Sequence, residues 1–271
     1  MDWFDGKTVI ITGGSTGIGA AFAEALAPRG ARLVLVARSK ERLETLARDL
    51  RSTHRAQVDT VALDLAAPGG VAQLVSALEA AGARPDVLVN NAGFATYGAF
   101  ATQGLEPQLD EVALNVSVVV ELTHRLLPGL VARRGGLLNV ASTAAFQPVP
   151  FMAVYGATKA FVLSFTEALW AEYRSQGLRV LALCPGATET PFFDRVGAAE
   201  ASVGAKASPH EVAALGLRAL LEDRPSVVHG FGNRLGTLAP RFVTRAQAAR
   251  ITESLMRPRT TTALPAPRSA P

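Results

Sequence analysis

Thr8-Val9-Ile10-Ile11-Thr12-Gly13-Gly14-Ser15-Thr16-Gly17-Ile18-Gly19 joins a β-branched run to a cluster of glycines, and a helical pattern follows from Gly17 to Pro28. A glycine turn between a first strand and a first helix lets backbone N–H groups approach a pyrophosphate, and the helix N-terminus adds its partial positive charge. The same glycines would serve a plain tight turn. Their position at a strand-turn-helix junction favours the nucleotide.

Outward from this turn, strand and helix patterns alternate. Leu33-Val34-Leu35-Val36 is the next apolar run. Ser39 then caps a helix whose Leu43, Leu46, Ala47 and Leu50 recur at helical spacing. Residues 58–63 form a third strand, 69–81 a helix ended by Gly82, and 87–89 a fourth strand stopped by Asn90-Asn91. A helical stretch covers 105–133, divided at Pro107 and kinked near Pro128. Residues 136–141 read as a strand, 152–175 as a long helix closed by Gly177, and 178–184 as a strand ended by Pro185-Gly186. Ser208-Pro209 opens a helix to Glu222, and Val227-Val228 is a last strand. Unbroken apolar strands alternating with helices predict an α/β fold, a single doubly wound parallel sheet with helices on both faces. Residues 1–257 are expected to form one domain and the proline-rich 258–271 a mobile tail. From 235 to 256 the pattern is helical but lacks one clean apolar face.

Composition narrows the function classes. Of 271 residues, 49% are hydrophobic and 18% charged, which excludes wholesale disorder. One cysteine, Cys184, excludes an internal disulfide, and the four histidines show no ligand spacing, so no metal is expected. The first seven residues do not resemble a signal peptide, and no uninterrupted apolar run reaches the ~18 residues of a membrane span. A cytoplasmic protein is the expectation. Residues 231–271 carry seven arginines against one acid, a charge of +6, which leaves −2 for residues 1–230. The main body is therefore not a basic nucleic-acid binder. The arginine-rich end reads as a solvated face in preference to a membrane contact.

Three further segments extend the glycine turn. Asn90-Asn91-Ala92-Gly93 ends the fourth strand, Ser142 ends the fifth, and Tyr155-Gly156-Ala157-Thr158-Lys159 lies thirteen residues beyond Ser142. Together with Thr12-Gly13-x-x-x-Gly17-x-Gly19, this set resembles the short-chain dehydrogenase/reductase family over roughly residues 6–230. The resemblance implies a Rossmann-like sheet and a nicotinamide dinucleotide. It places Gly13, Ser15, Thr16, Gly17, Ile18 and Gly19 at the pyrophosphate and Asp64 near the adenine. Asn91, Ala92 and Gly93 would lie beside the cofactor, with Pro185, Gly186, Thr188 and Thr190 at its nicotinamide end. Thr188 stands where many members carry Ile or Val. The second strand ends Val36-Ala37-Arg38-Ser39. An NAD enzyme would place an acid there to bond the ribose 2′-hydroxyl. Here Ala37 holds that place, and the Arg38 guanidinium can pair with a 2′-phosphate, with the Ser39 hydroxyl beside it. NADP(H) is thus preferred over NAD(H).

Tyr155 and Lys159 share a helix face at i and i+4. With Ser142 and Asn115, their order and spacing match the family's catalytic set. The residue types suit carbonyl reduction: a phenol to give a proton, an ammonium to favour the phenolate, and a hydroxyl to polarise the oxygen. The resemblance adds that Tyr155 and Lys159 contact the cofactor ribose, that Asn115 anchors a relaying water, and that the helices of Asn115 and Tyr155 pair two subunits. A homodimer or homotetramer follows. Phe94, Ala144, Phe146, Gln147, Phe151, Met152, Phe192 and Phe193 are the pocket candidates, and the aromatics among them could equally be core. A mostly apolar set points to a hydrophobic ketone or aldehyde and its alcohol. Residues 190–207 have the make-up of a lid. An epimerase or dehydratase would more often show Gly-x-x-Gly-x-x-Gly and a larger C-terminal domain. A dinucleotide-sensing module without turnover, or a protein using its arginine-rich end at a membrane surface, stands as the alternative from another class.

Overall fold

The computed structural model describes residues 2–192 and 205–258. Seven parallel strands are ordered β3-β2-β1-β4-β5-β6-β7. They are β1 (Thr8–Thr12), β2 (Arg32–Ala37), β3 (Val58–Ala62), β4 (Val87–Asn90), β5 (Gly136–Val140), β6 (Arg179–Cys184) and β7 (Ser226–Val228). Helices cover both faces, which is why the central strands are apolar without alternation. Val9 and Ile11 join Phe22 and Leu26 of α1 (Gly17–Leu26) and Val212 and Leu217 of α7 (Pro209–Leu220). Ile10 faces the other way, toward Leu74 of α3 (Gly70–Ala80) and Leu122 and Leu130 of α5 (Val118–Ala132). The doubly wound sheet expected from the sequence is the fold observed.

The order of strands reverses between β1 and β4, and a crevice opens beyond their carboxyl ends, where such sheets bind ligands. Thr12 and Asn91 clamp these two ends. The Thr12 hydroxyl accepts from the N–H groups of Asn91 and Ala92, each at 3.0 Å, and Asn91 Nδ2 donates to the Thr12 carbonyl at 2.9 Å. Deeper in the core, Asn90 Nδ2 donates to Asn139 Oδ1 at 2.9 Å and to Thr123 Oγ1 at 3.1 Å, and Asn139 Nδ2 donates to Thr166 Oγ1 at 2.9 Å. This chain ties β4 and β5 to α5 and to α6 (Ala153–Tyr173). At about 1 kcal/mol net for each bond, its larger effect is to fix the register of the helices that carry the site.

Two boundaries differ from the sequence reading. The stretch from 105 divides into α4 (Leu105–Val112) and α5 at a π-helical turn, Ala113–Ser117, and not at Pro107. Pro107 falls in the first turn of α4, where its missing N–H has no partner to lose. By length and composition, Leu105–Ala132 is apolar enough to cross a membrane, but Leu122 and Leu130 are wholly buried against the sheet, as in a core helix. The segment read as one poorly faced helix is two, α8 (Phe231–Leu238) and α9 (Arg245–Met256), joined by a 3-10 turn at Ala239–Phe242. Each has its own face, so a single helical wheel across both blurs the pattern. A capping box starts α9: Thr244 Oγ1 accepts from Gln247 N, and the Gln247 side chain accepts from Thr244 N. α2 (Lys40–His54) begins at Ser39 as expected, with its hydroxyl accepting from Arg42 N at 3.5 Å. The expected tail, apart from Pro258, lies outside the described residues.

Candidate active site

One cavity of about 1070 Å³ runs along the carboxyl ends of the strands. Gly13, Ser15, Thr16, Gly17 and Ile18 line it, and Val36, Ala37, Arg38, Ser39 and Asp64 line the end beyond β2. Gly17 adopts φ +56°, and a Cβ there would lie 2.9 Å from Thr190 Cγ2, so only glycine lets Thr190 pack on the turn. A Cβ on Gly13 would lie 2.9 Å from Asn91 Nδ2 and 3.0 Å from Ala92 Cα. Gly19 is not on the wall. It is buried beneath the turn, against Gly13 and Asn91, and acts through packing.

Arg38 is 64% exposed, and its Nη1 lies 3.9 Å from Asp64 Oδ2. This loose pair leaves the guanidinium open to a stronger anion. Arg42, one turn into α2, joins the same wall and was missed from the sequence because it sits outside the strand-end position. The donor set here, two guanidiniums and a hydroxyl, suits a phosphate, and the glycine cradle suits the pyrophosphate of a dinucleotide.

Ser142, Tyr155 and Lys159 meet at the other end. Ser142 caps the 3-10 turn Thr143–Phe146 by accepting from Ala144 N at 3.1 Å, and it is hydrogen-bonded to the Tyr155 phenol. Burial pushes that phenol up to about 12. The Ser142 bond opposes the rise, and the nearby charge of Glu111 adds to it. Burial pulls the Lys159 ammonium down to about 8, with Glu111 and Cys184 acting against it. The spacing led us to expect Lys159 to favour the phenolate. In the fold its Nζ donates to the Val140 carbonyl at 2.8 Å and lies 5.8 Å from the tyrosine ring centroid, and burial outweighs its charge.

Asn115 lies behind the cavity wall. Its Oδ1 accepts from Phe94 N at 3.2 Å, and its Nδ2 donates to the Phe94 carbonyl at 2.9 Å and to Thr158 Oγ1 at 3.2 Å. The side-chain donors are thus used to hold Phe94, on the wall, and the helix of Tyr155. Gly93 makes the approach possible, since a Cβ there would lie 2.9 Å from Asn115 Oδ1 and 3.6 Å from Lys159 Nζ. Glu111, four residues earlier on the same helical face, was not anticipated. It is wholly buried, and its Oε2 accepts from Thr96 N at 2.9 Å and Thr96 Oγ1 at 2.8 Å. Burial raises its pKa.

Ala92, Gly93, Phe94, Ala144, Gln147, Met152, Pro185, Gly186, Thr188, Thr190 and Phe192 line the cavity as expected. Phe192 packs 5.6 Å, centroid to centroid, from Tyr155. Phe146 is a correction: at the end of its 3-10 turn it packs toward Val162, Leu163 and Cys184, away from the wall. Phe151, at φ +65°, also stands off the wall. Phe193 and residues 193–204 of the expected lid lie outside the described residues. The base of that segment is held by a bridge between Thr188 and Ala207. Cys184 is wholly buried and its thiol is pushed up to about 12, consistent with a strand residue and not a nucleophile.

The far wall comes from α8, α9 and the turn between them, through Asn233, Thr237, Val243, Ile251, Leu255 and Met256. The Tyr97 hydroxyl donates to the Met256 carbonyl at 2.7 Å and ties this cap to the loop after β4. The Thr244-x-x-Gln247 box was the sequence signal that could have located it.

A glycine cradle at the strand reversal and a Ser-Tyr-Lys cluster thus share one crevice, the combination that marked the family resemblance in the sequence. The sequence profile of the short chain dehydrogenase family matches residues 7–201, more than half of the chain, and the protein belongs to that family. Hydroxysteroid dehydrogenase-like protein 1 of Gallus gallus is 37% identical over 184 residues, 66% of this chain and 55% of that protein. Very-long-chain 3-oxoacyl-CoA reductase of Mus musculus is 35% identical over 187 residues, 66% of this chain and 59% of that one. The matches therefore span less than two thirds of these relatives. Among solved structures, a short-chain dehydrogenase from Sphingobium yanoikuyae in complex with NADPH is 34% identical, with a TM-score of 0.78 over 90% of this chain and 98% of its own.

Proposed function

We propose that the chain is an NADP(H)-dependent reductase of apolar ketones or aldehydes, interconverting carbonyl and alcohol by hydride transfer. The observation that carries this reading is the single cavity joining Arg38, Ser39 and Arg42 at one end to Ser142, Tyr155 and an apolar cap at the other. Its volume lies at the upper limit of ordinary ligand pockets, about 1,000 Å³, which suits a dinucleotide and a substrate together. The relatives named for hydroxysteroids and very long acyl chains support a lipophilic substrate.

When bound, NADPH supplies the hydride. Ser142 holds and polarises the carbonyl oxygen, and Tyr155, protonated throughout the working pH range, gives that oxygen its proton. Lys159 holds a proton beside the phenol and can restore it. Asn115 fixes the wall residue Phe94 and the helix of Tyr155. Met152 and Phe192 give the substrate end an apolar lining, which Val243, Ile251 and Leu255 continue toward the mouth.

Cofactor choice is tested at Arg38. Arg38→Ala is expected to weaken NADPH about 10- to 100-fold and NADH little, because only the former presents a 2′-phosphate to the guanidinium. Equal losses for both cofactors in a fluorescence titration would sink the phosphate assignment. A panel of carbonyls in which only small, charged members turned over would sink the substrate class.

We also read α4 and α6 as a subunit face. Leu105, Leu109, Val112 and Phe161 are exposed there, beside a shallow groove lined by Val116, Ala153, Val154 and Ala157. A contiguous apolar surface of this kind is characteristic of association. Phe161→Glu is expected to lower the mass seen by light scattering from that of a dimer or tetramer; a wild-type chain that is already a monomer refutes the reading. The protein's place is proposed as the cytoplasm.

A further inference from the structure

The C-terminal cap exposes several large apolar side chains. Phe231, Leu235 and Leu238 fall at i, i+4 and i+7 of α8, with Phe231 77% exposed. Phe242, in the following turn, is 85% exposed. Ile251 and Leu255, one turn apart on α9, are 54% and 57% exposed and at the same time line the cavity. The apolar interior of the cavity thus continues onto the outer surface through these two residues.

Charge marks the occupant. Arg234, Arg241, Arg245, Arg250 and Arg257 are exposed around these apolar groups, and Glu253 is the one acid between 231 and 258. Glu253 pairs with Arg257. Among the described residues none of the other four arginines has an acidic partner. A protein core or a second copy of this cationic face would leave those charges unmatched. An anionic lipid surface satisfies both features, with apolar side chains entering the acyl boundary and arginines meeting the headgroups.

We propose that the α8–α9 cap docks on an anionic lipid surface, with the cavity mouth facing the bilayer. This departs from the solvated face expected from the sequence, because the separate helices show two outward apolar faces that one continuous wheel conceals. The inference extends the apolar-carbonyl reading, since a lipophilic substrate would enter straight from the bilayer. Vesicle binding is measured without turnover, so either idea can fail alone.

The test is co-sedimentation of the full chain with vesicles of phosphatidylcholine, with and without phosphatidylglycerol. Binding is expected only with the anionic lipid, and high salt weakens it. Arg241→Glu, Arg245→Glu and Arg250→Glu together should reduce it more than about 100-fold, at about fivefold or more for each charge near the surface. Phe231→Ser, Leu235→Ser and Phe242→Ser together should reduce it at least about tenfold. None of these six residues lines the cavity, so NADPH binding and turnover of a water-soluble ketone should persist and show that the fold is intact. Failure of the wild-type chain to sediment with anionic vesicles overturns the proposal. So does undiminished binding by the serine variant, or its conversion from oligomer to monomer, which would give this face to a second copy.

Discussion

Tyr155→Phe is expected to lower kcat for carbonyl reduction by about 10²- to 10⁴-fold while NADPH binding is retained, the range typical of a lost general acid. The substitution removes one oxygen and leaves the ring packed against Phe192, so the cavity keeps its shape. Ser142 loses its phenol partner but still accepts from Ala144 N. The pH profile gives a second reading of the same chemistry. The phenol, held near 12 by burial, stays protonated at every ordinary pH, so its own titration does not limit reduction. Lys159, brought down to about 8 by burial, is charged below that pH and loses its proton above it. The reduction rate should therefore be level below about 8 and fall above it. A rate that keeps rising to pH 10, or a Tyr155→Phe enzyme with near-normal kcat, would remove the phenol from the role of proton donor. Normal dinucleotide binding with no turnover by the wild-type chain on any carbonyl would instead favour a sensing module.

The same pair of residues shows which parts of the site the sequence carries. Their i, i+4 spacing placed Tyr155 and Lys159 on one face, and the glycine turn placed the crevice, because both depend on contacts close along the chain. The sign of the electrostatics was not legible. The Lys159 ammonium was expected to lower the phenol, but the Val140 carbonyl that accepts its hydrogen bond and the burial that dominates both groups belong to the tertiary structure. Asn115 was found by spacing, yet its partners Phe94 and Thr158 lie 21 and 43 residues away. Glu111 and the cap of α8 and α9 were missed for the same reason. Nothing within a few residues of Glu111 marks it as buried, and the cap joins the site through a bond between Tyr97 and Met256, 159 positions apart. Phe146 failed in the opposite direction: it neighbours the catalytic serine in sequence, and one 3-10 turn directs it into a different cluster.

Gly19→Ala is expected to lose NADPH-dependent stabilisation almost entirely and to melt about 5–10 °C lower, the shift that ~2–3 kcal/mol produces in a chain of this size. Gly19 does not touch the cavity, so the effect must pass through packing. A Cβ there would overlap the Gly13 carbonyl oxygen and lie 2.6 Å from Asn91 Nδ2. The first contact is backbone, which has no rotamer to change. The second is a side chain already donating to the Thr12 carbonyl at 2.9 Å and the Gly13 carbonyl at 3.3 Å, so moving it breaks the clamp between β1 and β4. Relief requires α1 to withdraw from the turn, which also withdraws the N–H groups of Ser15 to Ile18 from the position a pyrophosphate would need. Thermal melts with and without NADPH separate the two effects. A lowered melting point with a normal cofactor-induced shift would mean that the turn tolerates the displacement. A variant that melts and binds like the parent would mean that the close approach of Gly13, Gly19 and Asn91 does not constrain the site.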